Sequence, residues 1–106
     1  MLQYCRAAQE FAQGYTFETF LHDAKTQAAC LHEVLIVGEA ASQLPAEFRA
    51  AHPTIPWREV IGTRNKLIHG YDGIRWSVVW EMLQRDMPEL EPKLVALLET
   101  LTTNSD

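Results

Sequence analysis

The chain has 106 residues, a formal charge of −5, 47% apolar and 22% charged residues. That length holds one domain with a small core, and the composition is that of an ordinary globular protein. The acidic balance excludes a generic nucleic-acid binder, and no uninterrupted apolar run is long enough to span a membrane.

The periodicity is helical from the start. Leu2, Cys5, Ala8, Phe11 and Ala12 keep three-to-four spacing, which predicts a first helix ending at Gly14. Its opening, "MLQYCRAAQE", lacks the basic-then-apolar layout of a secretory leader. Cys5 and Cys30 read as small buried residues of a reducing compartment, which predicts a cytoplasmic protein. "TFETF" restarts a helical turn with Thr16 as N-cap, and Asp23 caps a long second helix. On that helix Ala24, Gln27, Ala28, Leu31, Val34, Leu35, Gly38 and Ala41 form the predicted stripe. Gly38 at mid-helix predicts a close crossing, and the helix stops before Pro45.

"AEFRAAHPTIP" is a connection holding one helical turn, and Pro56 suits the first turn of a third helix. That helix is predicted from about Trp57 to Gly70, with Asp72-Gly73 as a turn. A fourth helix covers Ser77 to Arg85, with Val79, Trp80 and Leu83 inward, and Pro88 breaks or kinks it. A last helix follows, with Leu90, Leu94, Leu97, Leu98 and Leu101 as its seam, and residues 102–106 fray. No alternating run reads as a strand. The expected fold is all-α: one domain over residues 1–106, an antiparallel up-and-down bundle of four to five helices.

The chemistry concentrates in "RNKLIHGY", Arg64 to Tyr71. Between Arg49 and Arg75 five cations (Arg49, Arg58, Arg64, Lys66, Arg75) face two anions (Glu59, Asp72), an island of positive charge on an acidic chain. Arginine grips phosphate through its planar fork, and histidine moves protons near neutrality. Together Arg64 and His69 have the parts for metal-independent phosphodiester cleavage, and a proton taken from a ribose 2′-hydroxyl restricts the substrate to RNA. Projected on one continuous helix, Asn65 and His69 are neighbours, while Arg64 and His69 diverge by about 140°. Either the long Arg64 side chain bends round to His69, or a two-fold dimer sets this helix against its own copy. The dimer is favoured because it also enlarges the core.

Plainer readings exist for each residue. Lys66 suits a solvated face, His69 a helix end, and Tyr71 packing. Glu39 is either an exposed side chain or a supporting partner of the site. Trp57, Trp76 and Trp80 read as core aromatics, with base stacking as the alternative. His22, His32 and His52 are too scattered for a metal site.

The stretch from "FETF" to about Leu90 resembles the HepT-like branch of the HEPN (higher eukaryotes and prokaryotes nucleotide-binding) family. The marks are "GEA" at Gly38–Ala40, "IPW" at Ile55–Trp57, and "RNKLIHGY", which fits the family's Arg-x4-His-x-Tyr motif. The resemblance implies a cytoplasmic ribonuclease toxin of a type VII toxin–antitoxin pair, without a cofactor. It implies Arg64 and His69 as the catalytic pair and Asn65 as the supporting polar residue; Lys66 and Arg75, beside them in the basic window, are candidate phosphate contacts. It also implies a minimal nucleotidyltransferase antitoxin as partner, which transfers AMP to Tyr71, and a homodimer with the motif helices at its interface. A larger hetero-oligomer with the antitoxin would extend that assembly. Relatives usually carry several residues ahead of the part matching "MLQYCR", so the chain either starts upstream or has a short first helix. The alternative is a non-catalytic module that binds a nucleotide or positions the nucleotidyltransferase.

Overall fold

Caps and breakers set the order of the elements. In the computed structural model, which describes residues 1–68 and 73–103, α1 spans Leu2–Ala12. It ends before Gly14, whose φ of +83° is natural for glycine. α2 is Phe17–Leu21, and Thr16 and Thr19 cap it reciprocally: each hydroxyl accepts from the other's backbone N–H, at 3.2 and 2.9 Å. Asp23 caps α3, Ala24–Ser42, by accepting from the Thr26 N–H at 3.0 Å. α4, Ala46–Ala51, is the single turn expected before Pro53. α5 is Trp57–Ile61 and α6 is Thr63–Leu67, parted only by Gly62. α7 is Trp76–Glu81 and α8 is Met87–Thr103.

Between α7 and α8 the backbone stays helical through a π-helical turn, Met82–Asp86. Of the break or kink expected at Pro88, the break is therefore absent. Proline lacks an N–H and crowds the preceding turn. The chain widens its register just ahead of it, with the Met87 N–H donating to the Met82 carbonyl, and so keeps one helical run from Trp76 to Thr103. Thr102 and Thr103, expected to fray, belong to α8, and their hydroxyls donate to the Leu98 and Glu99 carbonyls.

The expected all-α class holds. α1 packs antiparallel to α3: Cys30 Sγ donates to the Ala8 carbonyl, and near the connecting turn Tyr15 meets Asp23 and Thr26. α1 is also antiparallel to α8, since Leu2 and Leu98 line one groove and Gly14 and Leu83 another. The core gathers Cys5, Phe20, Cys30, Val34, Val37, Ile55, Leu67, Val79 and Leu90 into one cluster. All three tryptophans pack on or within it. Trp57 donates its indole N–H to the His52 carbonyl at 2.9 Å, and the rings of Trp76 and Trp80 pack on Phe20.

Two stripes differ from expectation. On α3 the buried residues are Cys30, Val34, Val37, Gly38 and Ala41, while Ala24 and Ala28 are exposed. α3 touches α1, α2, α5, α6 and α7, so more than one face is covered and a single stripe does not describe it. On α8 the seam is buried at Leu90 and Leu94 but open at Leu98 (47% exposed) and Leu101 (40%). Among the described residues, no helix is long and apolar enough to cross a membrane.

Candidate functional site

The platform under the motif is a backbone contact. A Cβ on Gly38 of α3 would lie 2.9 Å from the Val60 carbonyl oxygen and 3.4 Å from Thr63 Cβ. Glycine thus lets the α5–α6 backbone rest directly on α3, as its mid-helix position suggested. Thr63 is buried and donates its hydroxyl to the Val60 carbonyl at 2.7 Å. Leu67, one turn later, is fully buried. Those two residues fix the inward face of α6. Arg64, Asn65 and Lys66, between them, are all exposed. At about 100° per residue Arg64 and Lys66 fall on opposite flanks of α6, with Asn65 at the crest.

α6 ends earlier than the sequence suggested. Ile68 has φ −105° and ψ 117°, an extended conformation, and pairs with Ile74 in an isolated antiparallel bridge. The Ile68 N–H makes the last helical bond, to the Arg64 carbonyl at 3.0 Å. The Leu67 carbonyl accepts from the Arg75 N–H at 2.9 Å. Gly73, with φ +83°, makes the return possible. The predicted helix is thus corrected to end at Leu67, whereas the 140° divergence of Arg64 and His69 and the helical pairing of Asn65 with His69 rest on a residue outside the described ones. His69, Gly70, Tyr71 and Asp72 lie outside the described residues. The flanking residues Ile68 and Ile74 are bridged to each other.

Of the five cations in the basic window, Arg49 donates its Nε to the Leu44 carbonyl at 3.2 Å and serves the α3–α4 connection. Arg58, Arg64, Lys66 and Arg75 are exposed. The ion pairs among the described residues join Arg6 to Glu91 and Arg85 to Glu81 and Asp86, and involve none of these four. Arg75 stands just before α7, and its carbonyl accepts from the Val78 and Val79 N–H groups. Glu39 is exposed and accepts from Gln43, so it serves its own helix. Burial pushes the Cys5 and Cys30 thiols up to about 11, which keeps them protonated and unreactive at neutral pH.

Sequence reasoning missed a cleft of about 250 Å³ between α5–α6 and the π-helical turn with the start of α8. Val60, Met82, Met87 and Leu90 line it, and Lys66 stands at it from the motif helix. The available signal was Pro88 following an apolar helical run without a glycine, which a widened turn can accommodate.

The profile of the ribonuclease HepT-like family matches residues 1–97. A protein of Thermococcus cleftensis named "Probable ribonuclease HepT" is 43% identical over 89 residues, covering 84% of this chain and 81% of the relative. A "Putative RNase" of Caldanaerobacter subterraneus subsp. tengcongensis is 38% identical over 99 residues, covering 93% of this chain and 88% of the relative. No solved structure matches the chain at significant similarity.

Proposed function

The chain belongs to the ribonuclease HepT-like family, and from that premise we propose that it is an endoribonuclease acting through Arg64 and His69. The observation that carries the reading is Arg64 itself. It is exposed, it enters none of the ion pairs among the described residues, and it sits on a helix turn whose inward face is fixed by Thr63 and Leu67. A cation held this way pays little to meet a phosphate and stabilises the charge that develops there. His69 removes the proton of the ribose 2′-hydroxyl, whose oxygen attacks phosphorus. The bond to the 5′-oxygen breaks, and that oxygen receives a proton. Arg64 bridges the phosphate oxygens, and Asn65 orients the pair. Lys66 and Arg75 contact flanking phosphates. A two-fold dimer brings the motif of one copy against the other, so the site is composite.

In this reading the protein is the toxin of a toxin–antitoxin pair. A minimal nucleotidyltransferase neutralises it by transferring AMP from ATP to Tyr71. The added phosphate competes for Arg64 and its bulk blocks RNA. The test is cleavage of a defined RNA, alongside the same strand with a 2′-deoxy sugar at the cut. The RNA yields 2′,3′-cyclic phosphate and 5′-hydroxyl ends, and the substituted strand stays whole there. Cleavage at the deoxy position would remove the 2′-hydroxyl mechanism.

The acidic remainder of the chain favours a second reading, a non-catalytic module that positions the nucleotidyltransferase, because it repels long RNA. A stable complex with that partner, and no growth arrest on expression alone, would support it.

A further inference from the structure

We propose that the cleft beside α6 is a nucleoside subsite, which seats one base of the RNA a few nucleotides from the cut; this rests on the ribonuclease reading for the identity of the strand. The floor is apolar and buried: Val60, Met82, Met87 and Leu90 are each at most 8% exposed. The π-helical turn shapes it. Met82 and Met87 are five residues apart and joined by the Met87 N–H donating to the Met82 carbonyl, and both line the cleft. Methionine thioethers suit the faces and edges of flat rings.

The rim is polar and of mixed charge. Arg85 and Asp86 are engaged with each other at 3.2 Å, and Arg85 also with Glu81 at 2.7 Å. That leaves Lys66 and Lys93 as cations, and Glu59 and Glu89 as acceptors, none of them in the ion pairs among the described residues. An apolar floor with donors and acceptors at the edge fits a planar heterocycle on an anionic backbone. It does not fit a plain aliphatic side chain, which would leave the rim unmatched.

Lys66 joins the subsite to the motif. Arg64 and Lys66 lie on opposite flanks of α6, so a strand crossing the Asn65 crest spans about one helix diameter, roughly 10 Å. At roughly 3.4 Å per stacked nucleotide that is about three nucleotides. A phosphate on Arg64 therefore places a base about three nucleotides along the strand over the cleft. The subsite sets sequence preference near the cut while the chemistry stays at the motif.

The chain contains three methionines, two in the cleft and Met1 outside it, so methyl-labelled methionine reports directly. Titration of the full chain with AMP and with UMP should shift Met82 and Met87 saturably and leave Met1 in place. Lys93→Glu and Lys66→Glu should each weaken that binding by about fivefold, the loss of one charged contact, and flatten the cut-site preference on a randomised RNA. Arg64→Ala should abolish cleavage yet leave the methionine shifts intact. Shifts that persist in a protein that cuts no RNA would uphold the nucleoside site and discard only the cleavage reading. Methionines that do not respond, or lysine variants with unchanged affinity and unchanged cut-site preference, would overturn the proposal.

Discussion

In the proposed site Gly38 and Arg64 divide the labour, one placing the motif and the other assigned to the phosphate. Alanine at position 38 would gain about 1 kcal/mol in helix propensity. Its Cβ would meet the Val60 carbonyl at 2.9 Å, and a backbone oxygen cannot step aside as a side-chain tip can. Overpacking of this kind costs about 1–3 kcal/mol, so Gly38→Ala should be destabilising on balance in chemical denaturation and should also slow RNA cleavage by displacing α6. Arg64 is exposed and outside the core, so Arg64→Ala should leave stability within about 0.5 kcal/mol while removing activity. A third residue-scale prediction concerns Asp23. The Tyr15 hydroxyl, donating at 2.6 Å, and the Thr26 N–H hold its carboxyl below the usual carboxylate range. A depressed folded-state value stabilises the protein above the unfolded value, near about 3.9, and the contribution fades as pH falls through the folded one. Tyr15→Phe should move the Asp23 titration upward, read by carboxyl NMR, and an unmoved titration would refute the assignment.

The early end of α6 is the main event at the scale of elements. Leu67 gives its carbonyl to Arg75 across the Ile68–Ile74 bridge, and Gly73 turns the chain with φ +83° and, among the described residues, nothing within 4 Å of its missing Cβ. Gly73→Ala therefore meets no clash among the described residues and tests backbone strain, a cost of roughly 1–2 kcal/mol. It should lower the unfolding midpoint and, by loosening the Ile68–Ile74 bridge that follows the motif helix, reduce cleavage. Much of this layout was legible in advance. Thr16, Asp23 and Gly38 carry local signals, a hydroxyl or carboxylate at a cap and a glycine where two backbones meet, and the structure uses each as expected. The end of α6 was not legible. Lys66 and Leu67 are good helix formers, and a single bridge between two isoleucines leaves no periodic trace. Pro88 misled for a related reason: a proline reads as a break, yet one wide turn ahead of it preserved the helix. The cleft beside the motif depends on that wide turn and was not legible either.

For the whole molecule the question is how a chain of charge −5 holds RNA. The exposed cations Arg58, Arg64, Lys66 and Arg75 offer a short contact, not a long basic groove. With about three phosphates neutralised, the logarithm of RNA affinity should fall against the logarithm of salt with a slope of about −2, measured by fluorescence anisotropy on a catalytically dead variant. A slope several times steeper would point to a wider basic surface than this one. The central claim is that Arg64 and His69 cut RNA. It is tested most directly by single-turnover cleavage with purified wild-type protein and the Arg64→Ala and His69→Ala variants. Loss of the phosphate clamp should slow the reaction by about 10²–10³-fold, and loss of the proton-transfer group by about 10²–10⁴-fold. Variants that cleave as fast as the wild type would contradict the account.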